Sequence, residues 1–296
     1  MQGLPFFLVI LSAIAHGYWN FLFKQAHDKN AFLGLSKALE PIIYAVPFAV
    51  ALYVWGMAPG NLWYVAVGAF LSIANYVCLA RSYKLLDLTI AYPVSRSSTI
   101  FLPFLALLFF GERIDMVGWL SVIAATLGVF IIPLDSFHIP RSRKGHTGSN
   151  ASGASIPGWG LFLALLAAFF VALYTLWGKE AIRHLHPFIY MYCYTLASNL
   201  YFLPLLKKLE PAVVRAEWQA NKWRIIAVSV LNTLSFVLIL FALSLGKVSY
   251  VGVLRQTSLV VGAGLGWMVL RERFAPPRVL GVGLIIAGAC LAYFAS

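Results

Sequence analysis

Two segments of this chain, 160 residues apart, carry one pattern. Leu71 to Gly128 and Leu231 to Gly288 each hold an apolar helix, a polar approach, and a hydrophobic run that closes on Gly111-Glu112-Arg113 in one copy and Arg271-Glu272-Arg273 in the other. Upstream, Lys24 falls opposite Lys179 and Pro47 opposite Pro204, which extends the repeat over both halves. A chain built twice from one set of apolar helices has few folds open to it. Duplicated membrane helices are the architecture of secondary transporters, whose site lies between the halves near the bilayer midplane.

The apolar content fixes the solvent. With 61% hydrophobic residues, 11% charged and a mean hydropathy of +0.84, the 296-residue chain is too apolar for a soluble core to hide its side chains. A hydrocarbon layer of about 30 Å takes roughly 20 apolar residues per helix. Ten such stretches are predicted, near 4–23, 31–55, 62–83, 88–110, 116–133, 158–178, 188–206, 223–245, 248–270 and 277–295. The run from Leu4 lacks a basic leader and reads as a retained helix. A Ser/Gly-rich stretch, 135–157, with Arg141, Arg143 and Lys144, reads as a flexible linker between a first repeat, 1–134, and a second, 158–296. Five spans per half is an odd number, so the second copy is inverted. The expected fold is an all-α membrane protein with ten transmembrane helices as two inverted five-helix repeats. Pro211 to Arg224, carrying Arg215, Glu217, Trp218, Lys222, Trp223 and Arg224, is predicted to lie as an amphipathic segment on the membrane surface. Asn150-Ala151-Ser152 fits a glycosylation triplet, a pattern that also arises often by chance.

The net charge of +12 is carried by basic residues set singly between apolar runs, not gathered on one face. That distribution speaks against nucleic acid and for the anionic headgroups of membrane lipids. Three cysteines, Cys78, Cys193 and Cys290, are odd in number and lie inside apolar segments, so they read as small core residues and not as a disulfide framework or metal site. Loops after odd-numbered spans hold fifteen Lys and Arg and those after even-numbered spans four, which by the positive-inside rule puts both termini outside the cytoplasm. The other three basic residues, Lys37, Arg96 and Arg255, fall within predicted spans.

The residues Ala91-Tyr92-Pro93-Val94-Ser95-Arg96 leading to Leu107-Leu108-Phe109-Phe110-Gly111-Glu112-Arg113, and Leu254-Arg255-Gln256 leading to Leu270-Arg271-Glu272-Arg273, resemble the EamA family of the drug/metabolite transporter superfamily. The resemblance covers essentially the whole chain. It implies a ten-helix inverted-repeat carrier that moves small organic solutes, often outward, by alternating access. It implies no cofactor. The expected location is multi-pass in the cytoplasmic (inner) membrane of a bacterium. Two departures stand out. Arg271 replaces the Gly of the second Gly-Glu-Arg, which is expected to alter a turn, and the charge count opposes the family's cytoplasmic termini.

Arg96 and Arg255 are the sharpest candidates for substrate contact. An arginine inside an apolar span costs about 2.5–3.5 kcal/mol on insertion scales and needs a partner. Inversion brings each toward the midplane from its own side, where a planar guanidinium suits a carboxylate, phosphate or phosphonate. Snorkelling to the interface, or pairing with Glu40 or a freed backbone carbonyl, is the plainer alternative. Tyr92, Ser95, Ser97, Ser98 and Thr99 flank Arg96, and Tyr250, Gln256, Thr257 and Ser258 flank Arg255. Pro93 and Pro103 each delete a helical hydrogen bond, a break tolerated where protein or a water-filled cavity supplies partners. Gly262 and Gly266 form a GxxxG pair, expected to pack helices closely within one molecule.

Glu40 lies beside Pro41 and three residues from Lys37, an ion-pair spacing on a helix. Its default role is structural; the functional alternative is exchange of a coupling proton or direct binding of a cation. His16 is a second coupling candidate, near Trp19 and Asn20, against the plainer reading of a hydrogen-bonded packing residue. Trp19, Tyr174 and Tyr194 are candidate aromatic walls for substrate, set against the interfacial belt that Trp and Tyr often form. Asn75 is a buried amide that would orient ligand or join helices, and Ser258 and Tyr92 complete the candidate site. Glu112 and Glu272 are expected to be structural, pairing locally with Arg113 and Arg273 or holding the turns.

The function this supports is secondary transport of a small anionic or zwitterionic organic metabolite. A proton-coupled exporter of cations using Glu40 is the alternative within transport. An intramembrane enzyme and a membrane sensor are the rivals from other classes; the sequence holds no His-Glu-x-x-His zinc helix, nucleophile elbow or paired-carboxylate signature.

Overall fold

A computed structural model describes residues 3–137, 158–271 and 275–295. The first half supplies α1 (Leu4–Lys24), α2 (Lys29–Trp55), α3 (Leu62–Leu85), α4 (Leu88–Arg96), α5 (Ser98–Phe110) and α6 (Met116–Ile131). The second supplies α7 (Gly158–Ala181), α8 (Pro187–Lys207), α9 (Pro211–Leu245), α10 (Val248–Arg255), α11 (Thr257–Leu270) and α12 (Pro276–Phe294). No strand occurs among the described residues. Most of the expected linker, with the Asn150 triplet and Arg141, Arg143 and Lys144, lies outside the described residues, as do Glu272 and Arg273.

Eight of these segments are long and apolar enough to cross a membrane. The expected seventh span, α8, is diluted by Tyr190, Tyr192, Tyr194, Ser198, Asn199 and Tyr201. The expected ninth is not one helix. Both 88–110 and 248–270 break in the middle, at Ser97 and Gln256. Each break is a turn tightened to i→i−3 bonding: Ser97 N–H donates to the Val94 carbonyl at 3.2 Å and Gln256 N–H to that of Val253 at 3.0 Å. Neighbouring hydroxyls take up freed carbonyls, Ser97 Oγ on Val94 at 2.7 Å, Thr257 Oγ1 on Leu254 at 2.6 Å and Ser258 Oγ on Arg255 at 2.9 Å. Proline is not the common cause, because Gly252 stands where the first copy has Pro93 when the two breaks are aligned.

The halves pack on each other by repeat equivalence. α6 lies along α12, α2 along α8, α1 along α9 and α3 along α7. At the α6/α12 crossing a Cβ on Gly128 would meet the Gly281 carbonyl at 2.6 Å, and a Cβ on Gly288 would meet the Ser121 carbonyl at 2.9 Å. Positions 121 and 281, like 128 and 288, are repeat mates, so the two contacts are images of one another under a pseudo-twofold axis.

Helix ends sort onto two faces. At the first face Trp55 stacks on His186 at 3.8 Å and Asn61 Nδ2 donates to the His184 carbonyl at 3.0 Å. These contacts gather the end of α2, the turn before α3 and the α7–α8 connection. At the second face Ser82 Oγ donates to the Gly160 carbonyl at 3.2 Å, joining the end of α3 to the start of α7. A main core includes Leu102, Leu176, Tyr190, Leu240, Tyr250 and Leu254. A smaller one of Phe21, Leu22, Phe32, Ile225 and Val228 lies toward the second face. Ile42, Val46 and Val50 of α2 and Leu107, Leu108 and Phe109 of α5 are exposed, as a hydrocarbon solvent permits.

The expected amphipathic segment Pro211–Arg224 forms the start of α9, and a kink at Asn221 (φ −128°, ψ 16°) sets its helix off from the apolar helix that follows. Two local expectations are corrected. A Cβ on Gly262 would meet no atom of a neighbouring helix within 4 Å, so close packing falls instead to Gly17, Gly128, Gly281 and Gly288. Of the cysteines expected in the core, Cys78 is buried, Cys193 half-buried and Cys290 exposed.

Candidate functional site

Arg96 and Arg255 occupy the same structural position, the last residue of the first half of a broken helix. The breaks meet across the repeats: Gln256 Nε2 donates to Thr99 Oγ1 at 2.7 Å, both buried, and Gly252 leaves room for Leu102 to press on α10. From its end of α10, Arg255 Nη1 reaches Thr175 Oγ1 of α7 at 3.4 Å, while Thr175 itself donates to the Val171 carbonyl. Both arginines lie within electrostatic reach of His16 on α1. Gly17 makes that approach possible, because a Cβ there would meet Val261 at 2.6 Å and the Ser258 carbonyl at 2.8 Å, so α1 lies directly against α11. His16 packs edge-on to Trp19 at 4.9 Å, and neither His16 Nε2 nor Trp19 Nε1, both buried, has a hydrogen-bond partner.

A second group adjoins the first through Tyr76 of α3, which feels the charges of Lys37, Glu40 and Arg96 and lies near Tyr174. Lys37 Nζ is 3.0 Å from Glu40 Oε1, and Asn232 Nδ2 of α9 donates to the same oxygen at 2.8 Å. Pro41 explains the local backbone: lacking an N–H, it leaves the Lys37 carbonyl without its helical donor, and Asn199 Nδ2 of α8 supplies one at 3.0 Å. Tyr194 donates to Ser72 Oγ at 2.5 Å and stacks on Phe236 at 5.4 Å, with Tyr174 6.3 Å from the same Phe236 ring. The carboxylate of this group is thus engaged by Lys37 and Asn232, and the guanidiniums of Arg96 and Arg255 add positive charge. Side chains from α1, α2, α3, α4, α7, α8, α9 and α10 build the cluster, so it exists only where the halves meet.

Of the candidates named from sequence, His16, Trp19, Glu40, Arg96, Tyr174, Tyr194 and Arg255 converge here. Ser258 spends its hydroxyl on the Arg255 carbonyl and serves the break. Asn75 is buried on α3 beside Tyr76, and the side chain of Tyr92 lies outside the described residues. Sequence reading missed Tyr76 and Phe236, which look like any lipid-facing aromatic until a neighbour defines their side of the helix.

At the first face Glu112 pairs with Lys179 of the other half at 2.6 Å and accepts from Val248 N–H at 3.1 Å, not with Arg113 as expected. The local partner loses because Gly111 ends α5 in a left-handed turn (φ 65°), after which Glu112 meets α7 and the start of α10. Lys179 also donates to the Gly246 carbonyl at 3.0 Å. Beside this pair opens a cavity of about 660 Å³, lined by Pro5, Glu112, Lys179, Lys247, Tyr250 and Phe294 among others, which also brings the start of α1 and the end of α12 to this face. α1 therefore begins where its repeat mate α7 ends.

A duplicated bundle of apolar helices with a polar, positively charged centre at the seam defines a multi-pass integral membrane protein of the transporter class. Accordingly, the model of the EamA-like transporter family matches residues 3–134 and again 158–294, and the chain belongs to that family, within the drug/metabolite transporter superfamily. A solved structure titled only as the crystal structure of a protein is similar over 98% of this chain and 96% of its own, with a TM-score of 0.74 at 18% identity, a likeness of fold. No curated protein matches the chain.

Proposed function

We propose that the protein is a secondary carrier with ten membrane crossings in two inverted five-helix repeats, and that its cargo is a small anionic or zwitterionic organic metabolite. The observation that carries this reading is the placement of Arg96 and Arg255 at matching helix breaks, one from each half, around His16 and the Tyr76–Tyr174–Tyr194 wall. A half-helix that stops inside the membrane brings polar side chains at its end to a ligand in place of lipid. Two guanidiniums on opposite halves favour a carboxylate or phosphate, and the aromatic wall suits an apolar portion on the same molecule. Rocking of the halves about the Gln256–Thr99 contact would open the site to one face and then the other. Export of cations through Glu40 is the weaker reading, because Lys37 and Asn232 already hold that carboxylate.

The test is a thermal-shift screen of the purified protein against anionic, zwitterionic and cationic metabolites, since a ligand of the folded state raises its stability by mass action. Stabilisation by anions or zwitterions should weaken at least tenfold in apparent affinity in Arg96→Ala or Arg255→Ala, consistent with loss of a charge-assisted hydrogen bond of about 1.5–3 kcal/mol. Stabilisation by cations alone, removed by Glu40→Gln and kept in both arginine variants, would overturn the assignment.

A further inference from the structure

The start of α9, from Pro211 to the kink at Asn221, carries none of the residues of the candidate site. Glu217, buried at 2% exposure, faces inward and is held by three donors: the backbone N–H of Asp28 at 2.7 Å, that of His27 at 3.4 Å, and Asn221 Nδ2 at 2.7 Å. Asn221 sits at the bend and accepts in turn from Arg224 Nη1 at 2.6 Å. Asp28 is the N-cap of α2, its side chain accepting from Ala31 N–H at 2.8 Å. A continuous chain of hydrogen bonds thus runs from an exposed arginine, through a buried carboxylate, to the start of the helix that carries Lys37 and Glu40.

Around this chain the exposed charges are predominantly positive. Arg215, Lys222 and Arg224 on α9 are exposed, as are Lys24 and Lys29 on the α1–α2 turn that Glu217 grips, and Lys207 and Lys208 precede the segment. Trp223 is 72% exposed and carries Lys222 Nζ over its ring at 5.5 Å. Glu210 is the exposed acidic residue of 207–224, whereas Glu217 has turned its charge inward. An exposed indole prefers headgroup depth, and cations beside it at the end of a membrane helix match the phosphates of that layer.

We propose that the bend of α9 is a docking site for anionic phospholipid, with Trp223 seated at the interface, Arg215, Lys222 and Arg224 on headgroup phosphates, and the Arg224–Asn221–Glu217–Asp28 chain transmitting occupancy to the α1–α2 turn. A phosphate on the outer side of Arg224 neutralises it without removing its bond to Asn221, and so steadies the chain beneath. The site commits to lipid because the indole and the cations lie together at the end of the apolar α9 span, where a bilayer presents both phases.

The experiment measures thermal stability and hydrogen exchange of the full-length protein in detergent, with phosphatidylglycerol, phosphatidylcholine or inorganic phosphate added. Phosphatidylglycerol should raise the melting temperature and slow exchange at Asp28 to Ala31, and phosphatidylcholine should do neither. The triple variant Arg215→Gln, Lys222→Gln, Arg224→Gln should need about a hundredfold more phosphatidylglycerol, at roughly fivefold per cation removed. Lys84→Gln, at the same face on α3, should keep the full response. Arg224→Gln alone should lose the exchange protection while keeping most of the lipid affinity. Equal stabilisation by both lipids, an unchanged response in the triple variant, or the same effect from inorganic phosphate would overturn the proposal. None of these readouts depends on which solute is carried.

Discussion

Arg271 adopts φ 53°, ψ 34° at the C-cap of α11, the conformation that Gly111 holds at φ 65°, ψ 19° after α5. The turn was expected to change with the residue. It does not, because the hydrogen bond from the cap N–H back to Gly266 closes α11 as its counterparts on Ala106 and Leu107 close α5, and the side chain bears the cost. A left-handed conformation costs a non-glycine residue about 1 kcal/mol. Arg271→Gly should therefore stabilise the protein by about that amount, partly offset by the greater freedom of glycine in the unfolded chain. Thermal denaturation of the variant checks this, and a lower melting temperature would count against it. At the same scale Arg96 and Arg255 stood out as candidates from their cost in lipid alone, whereas Tyr76 and Phe236 did not, since an aromatic costs nothing in either environment.

At the scale of elements, α2 shows how a polar pair inside a membrane helix is held. Glu40 is 1% exposed and Lys37 12%, with Asn232 and Asn199 bonding to the carboxylate and to the carbonyl that Pro41 frees. Glu40→Gln leaves the ammonium without its counter-charge, and removing one partner of a buried pair costs about 3–5 kcal/mol. Lys37→Met with Glu40→Leu removes both charges and should recover most of that loss. If instead both the single and the double variant keep wild-type stability and lose transport, the pair is a coupling device and not a brace. The spacing of Lys37 and Glu40 made the pair readable in sequence; its amide partners come from α8 and α9, more than 160 residues away, and were not readable. The breaks of α4/α5 and α10/α11 were half legible. Proline marked one, and only the folded backbone shows that Ser97 and Gln256, with hydroxyls beside them, make the same turn.

At the scale of the whole molecule, the α6/α12 crossing tests the twofold relation between the halves. A Cβ on Gly281 would meet Ile132 N at 2.8 Å and the Gly128 carbonyl at 2.9 Å, both backbone atoms that cannot rotate away. Gly281→Val should cost about 1–3 kcal/mol by overpacking, read as a lower melting temperature. Gly262→Val, where no neighbour lies within 4 Å, should be tolerated in the monomer. Equal effects at the two positions would refute the crossing as described. The Glu112–Lys179 pair at the first face and the Glu217 chain at the second both join the halves, but through unrelated residues, so the two faces are closed by different chemistry.

Membrane residence, the duplication and the candidacy of the two arginines all follow from sequence, because they rest on local quantities: runs of apolar residues, a repeated spacing, and the cost of a charge in hydrocarbon. Which aromatics line the centre, which glycines let helices touch, and which carboxylate meets which cation depend on contacts between residues far apart in the chain. Those were decided only when the two halves packed. A lipid-facing side of a helix and a partner-facing side are equally apolar, and only the neighbouring helix tells them apart.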